Sequence, residues 1–290
     1  MHEGQWDLDV TAVGRIVADR YPQWAGLPVR PVVSSGTVNA LFRIGEDVVL
    51  RFPLHPDTDV AVVERIRAAR GVAARIRTSV ALPELLAVAA PHEEYPGWST
   101  AYRWVEGEPV DPATAPSALA DDLAAFVAAV QAVPLERPLL RHAWRSGPLA
   151  AVDAEVRAAL AAARALVDVA PLEAVWADAL AAPRAPVETW IHTDLMPGNL
   201  LVSDGHLVAV LDCEDLAVGD PAVDLMPAWN LLTADDRPRF LAATSADAAA
   251  RLRGRGWALA QAALALPYYV DTNPAMAETA RRTMAGLLEG

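Results

Sequence analysis

The sequence contains no lysine: all 24 of its basic residues are arginine. A Walker A lysine, a Schiff-base lysine and a catalytic lysine are excluded together, so any nucleotide must be held without one. Cysteine is nearly as scarce. Cys213 is the only one, which rules out an internal disulfide framework and a multi-cysteine zinc site and suits a reducing cytoplasm. No apolar run reaches membrane-spanning length. The most apolar late stretch, ALAQAALALPYYV, is interrupted by Gln261 and Pro267, and the opening MHEGQWDLD is acidic where a secretory signal would be apolar. Positive charge is also in deficit, and a formal net charge of −13 argues against the basic face that nucleic acid requires. These absences predict a cytoplasmic protein with no membrane and no nucleic-acid partner. The acidity fits a cationic small partner better, although acidic surfaces commonly serve solubility alone.

What is present is apolar and patterned. A hydrophobic content of 53% over 290 residues is enough for a large core, in one large domain or two modest lobes. Residues 7–21 space Val10, Val13, Ile16, Val17 and Tyr21 on one helical face behind a capping aspartate. Segments 28–35 and 39–53 read as strands with a Gly-Glu-Asp turn at 45–47, 60–76 as a helix, and 84–90 and 98–107 as further strands. After the Pro-rich connection 107–116 the composition changes to Ala/Leu helices at 117–133, 149–167 and 172–182. The boundary this implies lies near residue 105, with a small sheet crossed by a helix in 1–105 and a larger, mostly helical part in 106–290. From Pro221 the chain is again helical, with loops near Thr233 and Thr272.

The chemistry concentrates in WIHTDLMPGNLLVSDGHLVAVLD, residues 190–212. Asp204-Gly205 between two apolar stretches signals a two-residue type I′ hairpin. Counting outward from that turn pairs Ser203 with His206 and sets Asn199 opposite Val210, with Asp212 just beyond the open end. An amide oxygen and a carboxylate then share one place, and such oxygen donors suit a hard cation such as Mg²⁺. Asp194, in a loop with Pro197 and Gly198, can curl back over the same spot and supply a second carboxylate.

His-x-Asp-x-x-x-x-Asn, then Asp212 after the hairpin, then GDPAVDL at 219–225, resembles the aminoglycoside phosphotransferase family within the protein-kinase-like superfamily. The resemblance covers most of the chain. It implies a two-lobed α+β fold with a small N-terminal sheet lobe for nucleotide, 1–105, and a larger helical lobe for catalysis and substrate, 106–290. It further implies that Asp194 is the catalytic base or orienting carboxylate, that Asn199 and Asp212 hold Mg²⁺ on the phosphates of ATP or GTP, and that His192 supports the catalytic loop. Asp220 and Asp224 look structural, with Asp220 placed to cap the next helix and brace that loop. SSGTVNALFRIG resembles the nucleotide-positioning loop, where the amides of Ser35, Gly36 and Thr37 approach phosphate. Arg51 stands where a kinase strand carries its lysine, with Glu64 as the expected ion-pair partner, and Arg103 to Val105 form the expected hinge that meets the nucleobase. Arginine is not a neutral replacement for lysine.

Each assignment has a plainer counterpart. An exposed strand-to-helix salt bridge also accounts for Arg51 and Glu64, and a capping role accounts for Asp194 alone, though not for Asp194 together with Asn199 and Asp212. Cys213 reads as a small buried apolar residue. Glu214, Asp215, Asp235, Asp236 and Asp271 are candidates to line a pocket for a cationic substrate, while a solvated acidic surface explains most of them equally well. The reading that results is transfer of the γ-phosphoryl group of ATP or GTP to a hydroxyl of a small molecule, an antibiotic in the first place, with a metabolite such as an amino alcohol or sugar as the runner-up. A kinase-like nucleotide-binding protein without turnover is the alternative from a different class.

Overall fold

The computed structural model describes residues 5–33, 36, 38–137 and 139–289. Its first helix, α1 (Val10–Arg20), begins where the Asp9 carboxylate accepts the Ala12 amide at 2.7 Å, and it buries Val13, Ile16 and Val17. Those residues close one face of an antiparallel sheet made of β1 (Val29–Pro31), β2 (Asn39–Ile44), β3 (Val48–Pro53), β4 (Leu85–Ala89) and β5 (Ser99–Arg103), in the order β1-β2-β3-β5-β4. Phe42, Leu50, Phe52 and Tyr95 complete this first core, with edge-to-face ring contacts between Phe52 and both Phe42 and Tyr95. The period-2 alternation of a strand decides what lies opposite it. In β3, Val48, Leu50 and Phe52 point into the core, so Val49, Arg51 and Pro53 point the other way.

A second, larger core fills the rest of the chain. It is built by α3 (Leu119–Gln131), α4 (Asp153–Ala163), α5 (Ala170–Ala181), α6 (Pro227–Asn230), α7 (Arg237–Ala243), α8 (Ala248–Tyr269) and α9 (Pro274–Leu288). Helix α2 (Val60–Ala73), capped by Asp59, lies between strands of the first sheet in sequence, yet its Ala69, Val72 and Ala73 belong to this second core. Two small antiparallel sheets are set into it: β7 (Thr189–Ile191) with β10 (Ala217–Gly219), and β6 (Glu108–Pro109) with β8 (Leu200–Ser203) and β9 (His206–Val210). Among the described residues no helix is long and apolar enough to cross a membrane.

The β8–β9 hairpin turns at Asp204 and Gly205, both with positive φ, as a type I′ turn demands. Ser203 faces His206 as the turn predicts, but a bulge follows, so that Leu200 pairs with Val210 and the Leu211 amide donates to the Asn199 carbonyl at 2.8 Å. The predicted Asn199–Val210 pairing is thus displaced by one residue. The other edge of β9 has a partner of its own: the Val208 carbonyl accepts the Ala81 amide at 2.8 Å, and the Ala81 carbonyl accepts the Val210 amide at 3.0 Å. The segment between α2 and β4 is pinned to the edge of the hairpin in this way.

Helix α8 passes close to α5 at Gly256, where a Cβ would stand 2.6 Å from Ala179 Cβ and 2.9 Å from Leu149 Cδ1. Gly256→Ala should therefore overpack this contact and destabilise the protein by about 1–3 kcal/mol. Gly71→Ala, on α2 where nothing lies within 4 Å, should instead be neutral or stabilising by up to ~1 kcal/mol. Thermal melts of the two variants followed by circular dichroism check this, and similar melts would contradict the packing assigned to Gly256.

Candidate active site

Beyond β7 the chain turns into a loop whose backbone is held by one buried carboxylate. Asp224 has no solvent exposure, and it accepts the amides of His192 at 2.7 Å and Thr193 at 3.1 Å. Burial raises the Asp224 pKa, and these charge-solvating amides oppose the rise. Asp220 caps the following turn by accepting the Ala222 amide and is itself held by Arg253 at 2.6 Å. The brace on the loop after β7 is thus Asp224 rather than Asp220. The reason is position: Asp220 precedes the 3₁₀ turn Pro221–Leu225, whereas Asp224 lies inside it and faces β7.

His192, also fully buried, works as a strut. Its Nε2 donates to the Leu211 carbonyl at 3.0 Å, and its Nδ1 accepts the Asp194 amide at 3.3 Å. One ring therefore fixes the distance between the Asp194 loop and the residue before Asp212, and neither nitrogen is left for proton transfer. Thr193 and Asp212 both occupy left-handed backbone, with φ of 79° and 61°. Such conformations cost roughly 1–3 kcal/mol each in residues other than glycine and persist only where the surroundings impose them. Asp224 imposes the first through the Thr193 amide.

Asp194 is partly open to solvent, and each of its oxygens is held by an amide. Asn199 Nδ2 donates to Oδ2 at 2.8 Å, and Gln261 Nε2 from α8 donates to Oδ1 at 3.2 Å. Arg145 Nη2 lies 3.7 Å from Oδ1. With its Nδ2 committed to Asp194, Asn199 retains Oδ1 as an acceptor. That oxygen and the Asp212 carboxylate are donors of the kind a hard divalent cation takes. No group of three or more His, Cys, Asp or Glu among the described residues is arranged to hold a metal, so a cation here would complete its shell with oxygens from phosphate or water.

Arg51 reaches across from β3. Its Nη1 donates to both oxygens of Glu214 at 2.9 Å, and its Nη2 donates to Asp212 Oδ1 at 3.0 Å. Burial alone would raise the Asp212 pKa, but Arg51, with Glu214 and His192, outweighs it and the net shift is downward. Glu214 moves the other way, because burial and the adjacent Asp212 both disfavour its charge. The pairing predicted between Arg51 and Glu64 is not formed. Helix α2 turns Val63 and Ile66 inward, which leaves Glu64 exposed, and the carboxylates that follow β9 take the guanidinium instead.

Of the other residues singled out by sequence, Ser35 and Thr37 lie outside the described residues. Arg103 is exposed and paired with Glu84 at 2.8 Å, and Val105 follows it half-buried. Among the acidic candidates, Asp215 stands beside Arg65, His142 and Glu214 in a cavity of about 220 Å³. Burial raises its pKa, and neighbouring Asp212 adds to the rise. Asp236 is tied to Ser117, Thr233 and Arg239 on the surface, and Asp235 and Asp271 are exposed. Sequence reasoning did not find Arg145, His142 or the roles of Gln261 and Glu214. For Gln261 a signal existed, since it is the polar residue inside ALAQAALALP.

Residues 30–261 match the model of the phosphotransferase enzyme family. No curated protein matches the chain. Among solved structures the chain is similar to the GDP complex of wild-type aminoglycoside 2'-phosphotransferase-IIIa, at 15% identity and a TM-score of 0.72 over 97% of this chain and 99% of that one. It is also similar to the macrolide 2'-phosphotransferase MphH from Brachybacterium faecium, at 24% identity and a TM-score of 0.59 over 97% and 98% of the two chains. A third likeness is to the streptomycin-ATP ternary complex of APH(2")-IIa, at 16% identity and a TM-score of 0.60 over 88% and 90%. At these identities the likeness is one of fold, and it meets the expectation of a kinase-like α+β architecture with a small sheet lobe and a larger helical one.

Cys213, between Asp212 and Glu214, is 2% exposed, and burial pushes its thiol up to about 12. Native protein at pH 8 should therefore resist a thiol-reactive dye, and the single thiol should titrate only after denaturation. Rapid labelling of the folded protein would contradict the closed packing around Asp212.

Proposed function

The chain belongs to the phosphotransferase enzyme family, and from that premise we propose that it transfers the γ-phosphoryl group of ATP or GTP to a hydroxyl of a small molecule, an antibiotic in the first instance. The observation that carries this reading is the convergence of Asp194, Asn199 and Asp212 at the open end of one hairpin, with His192 spanning the two loops that bear the carboxylates. The antibiotic acceptor is supported by likeness to aminoglycoside and macrolide phosphotransferases.

In the proposed reaction Asp194 receives the acceptor's hydroxyl. The hydroxyl oxygen attacks the γ-phosphorus, the bond from that phosphorus to the β-bridging oxygen breaks, and the hydroxyl proton passes to the Asp194 carboxylate as the nucleoside diphosphate departs. Asn199 and Asp212 would hold Mg²⁺, which when bound neutralises phosphate charge. Arg51 supplies the fixed positive charge that a lysine provides elsewhere. Its guanidinium presents five N–H donors, so it can keep a carboxylate contact while directing another N–H at a phosphate oxygen. The electrostatic case for an amine-bearing acceptor narrows to Asp215 in its cavity, because Glu214 is engaged by Arg51 and Asp236 by Ser117 and Arg239.

The test is a nucleotide-consumption screen with ATP and with GTP across aminoglycosides, macrolides, nucleoside and peptide antibiotics and small hydroxylated metabolites. A phosphorylated product is expected from at least one acceptor. Asp194→Asn should then lower turnover on the order of 10²-fold to 10⁴-fold, with melting temperature and nucleotide affinity nearly unchanged. Near-normal turnover in that variant would remove Asp194 from the reaction. A preferred acceptor that carries amines should lose kcat/KM as salt rises, whereas turnover confined to neutral acceptors and insensitive to salt would contradict the electrostatic part alone.

A further inference from the structure

Gln261 is a polar side chain on an otherwise apolar stretch of α8, where Ala258, Leu259, Ala260, Ala262 and Ala263 are buried. Both ends of its amide are engaged. Nε2 donates to Asp194 Oδ1 at 3.2 Å, and Oε1 accepts from Arg145 Nη2 at 2.5 Å. Arg145 is itself buried, at 7% exposure. Its guanidinium also contacts the Met226 sulfur at 3.0 Å and lies over the Trp144 ring, and the one carboxylate within 4 Å of it among the described residues is Asp194, at 3.7 Å. A guanidinium only donates, so it fixes which end of the Gln261 amide faces it. With Oε1 turned to Arg145, the Nε2 donor must face Asp194. The acceptor-only carboxylate of Asp194 favours the same orientation, and without Arg145 the amide keeps only that one anchor.

We infer that Arg145 and Gln261 are positioning residues that act in series to hold the Asp194 carboxylate for the incoming hydroxyl. This inference rests on the reading of Asp194 as proton acceptor. Asn199 fixes Oδ2 through a donor from the same loop, and Gln261 fixes Oδ1 through a donor from a helix 67 residues further along the chain. Held at both oxygens, the carboxylate cannot rotate without losing a hydrogen bond. Small losses of alignment at a reacting group reduce rate far more than they reduce binding. The pair therefore affects kcat and leaves nucleotide KM alone.

Two substitutions at Gln261 separate positioning from support of the scaffold. Gln261→Glu keeps an oxygen for Arg145 and gives that cation a closer counter-charge, but it removes the N–H that Asp194 accepts. Gln261→Leu removes both contacts. Steady-state kinetics on the most active acceptor found for the wild type should show kcat lowered on the order of 10-fold to 10²-fold in both variants, with nucleotide KM unchanged and melts confirming folded protein. If Gln261→Glu retains the wild-type kcat, Gln261 serves only to satisfy Arg145 and the inference is overturned. Where Arg145→Met also folds, it should lower kcat by a similar factor, and the double variant with Gln261→Leu should be no worse than either alone. A crystal structure of Gln261→Leu gives a readout independent of activity: the Asp194 carboxylate should rotate away from its wild-type position, and an unmoved carboxylate would overturn the inference. Failure of the wild type to phosphorylate any acceptor would count against the functional reading, and the position of the carboxylate would still decide the clamp.

Discussion

The forked contact from Arg51 to Asp212 and Glu214 is the interaction on which the geometry of the site depends. It joins the outward face of β3, in the small sheet, to the residues that follow β9 in the helical part. Through it a strand of one core reaches the chemistry of the other. The contact requires a planar side chain with several donors, because one group satisfies both oxygens of Glu214 and one of Asp212; a lysine ammonium is a point charge and does not match that arrangement. Two guanidiniums, Arg51 and Arg65, beside three acidic side chains, Asp212, Glu214 and Asp215, also leave a local deficit of positive charge. In the proposed reaction a divalent cation makes up that deficit.

Around this contact the fold favours rigidity over local comfort. Thr193 and Asp212 are held in left-handed backbone, one at each end of the span that His192 bridges. A buried carboxylate accepts two amides of the loop after β7, and a buried imidazole spans that loop and the end of β9. Buried polar groups of this kind stabilise only when every partner is present, since a lone buried donor or acceptor costs about 1–3 kcal/mol. The network is accordingly all-or-none, which suits a site that must hold its shape while substrates come and go.

Much of this could be read from the sequence because it is local. The Asp-Gly turn, the apolar alternation on either side of it and the spacing from His192 to Asn199 all lie within one short stretch, and short-range geometry brings those residues together. The displaced pairing at Asn199 comes from a bulge that the turn does not signal, in a hairpin whose β9 edge is also bonded by Ala81 from outside that stretch. Glu64 was the expected partner of Arg51 because it stands on the next helix, yet the observed partner Glu214 lies 163 residues away. Arg145 and Gln261 are 116 residues apart and carry no motif of their own. Pairings of that kind are decided by how helices pack against the hairpin, and no periodicity in the sequence encodes them.

The central claim is that a chain without lysine carries out phosphoryl transfer with an arginine at the phosphate position. Calorimetric titration of Mg²⁺-ATP and Mg²⁺-GTP into wild type, Arg51→Met and Arg51→Lys tests it most directly, because the methionine keeps much of the side chain's length and removes its charge. The account predicts affinity weakened about 10-fold or more in Arg51→Met, the scale of one lost charge-assisted hydrogen bond, with Arg51→Lys in between. Wild-type affinity in a fully folded Arg51→Met protein would contradict it and leave Arg51 as a structural ion pair alone.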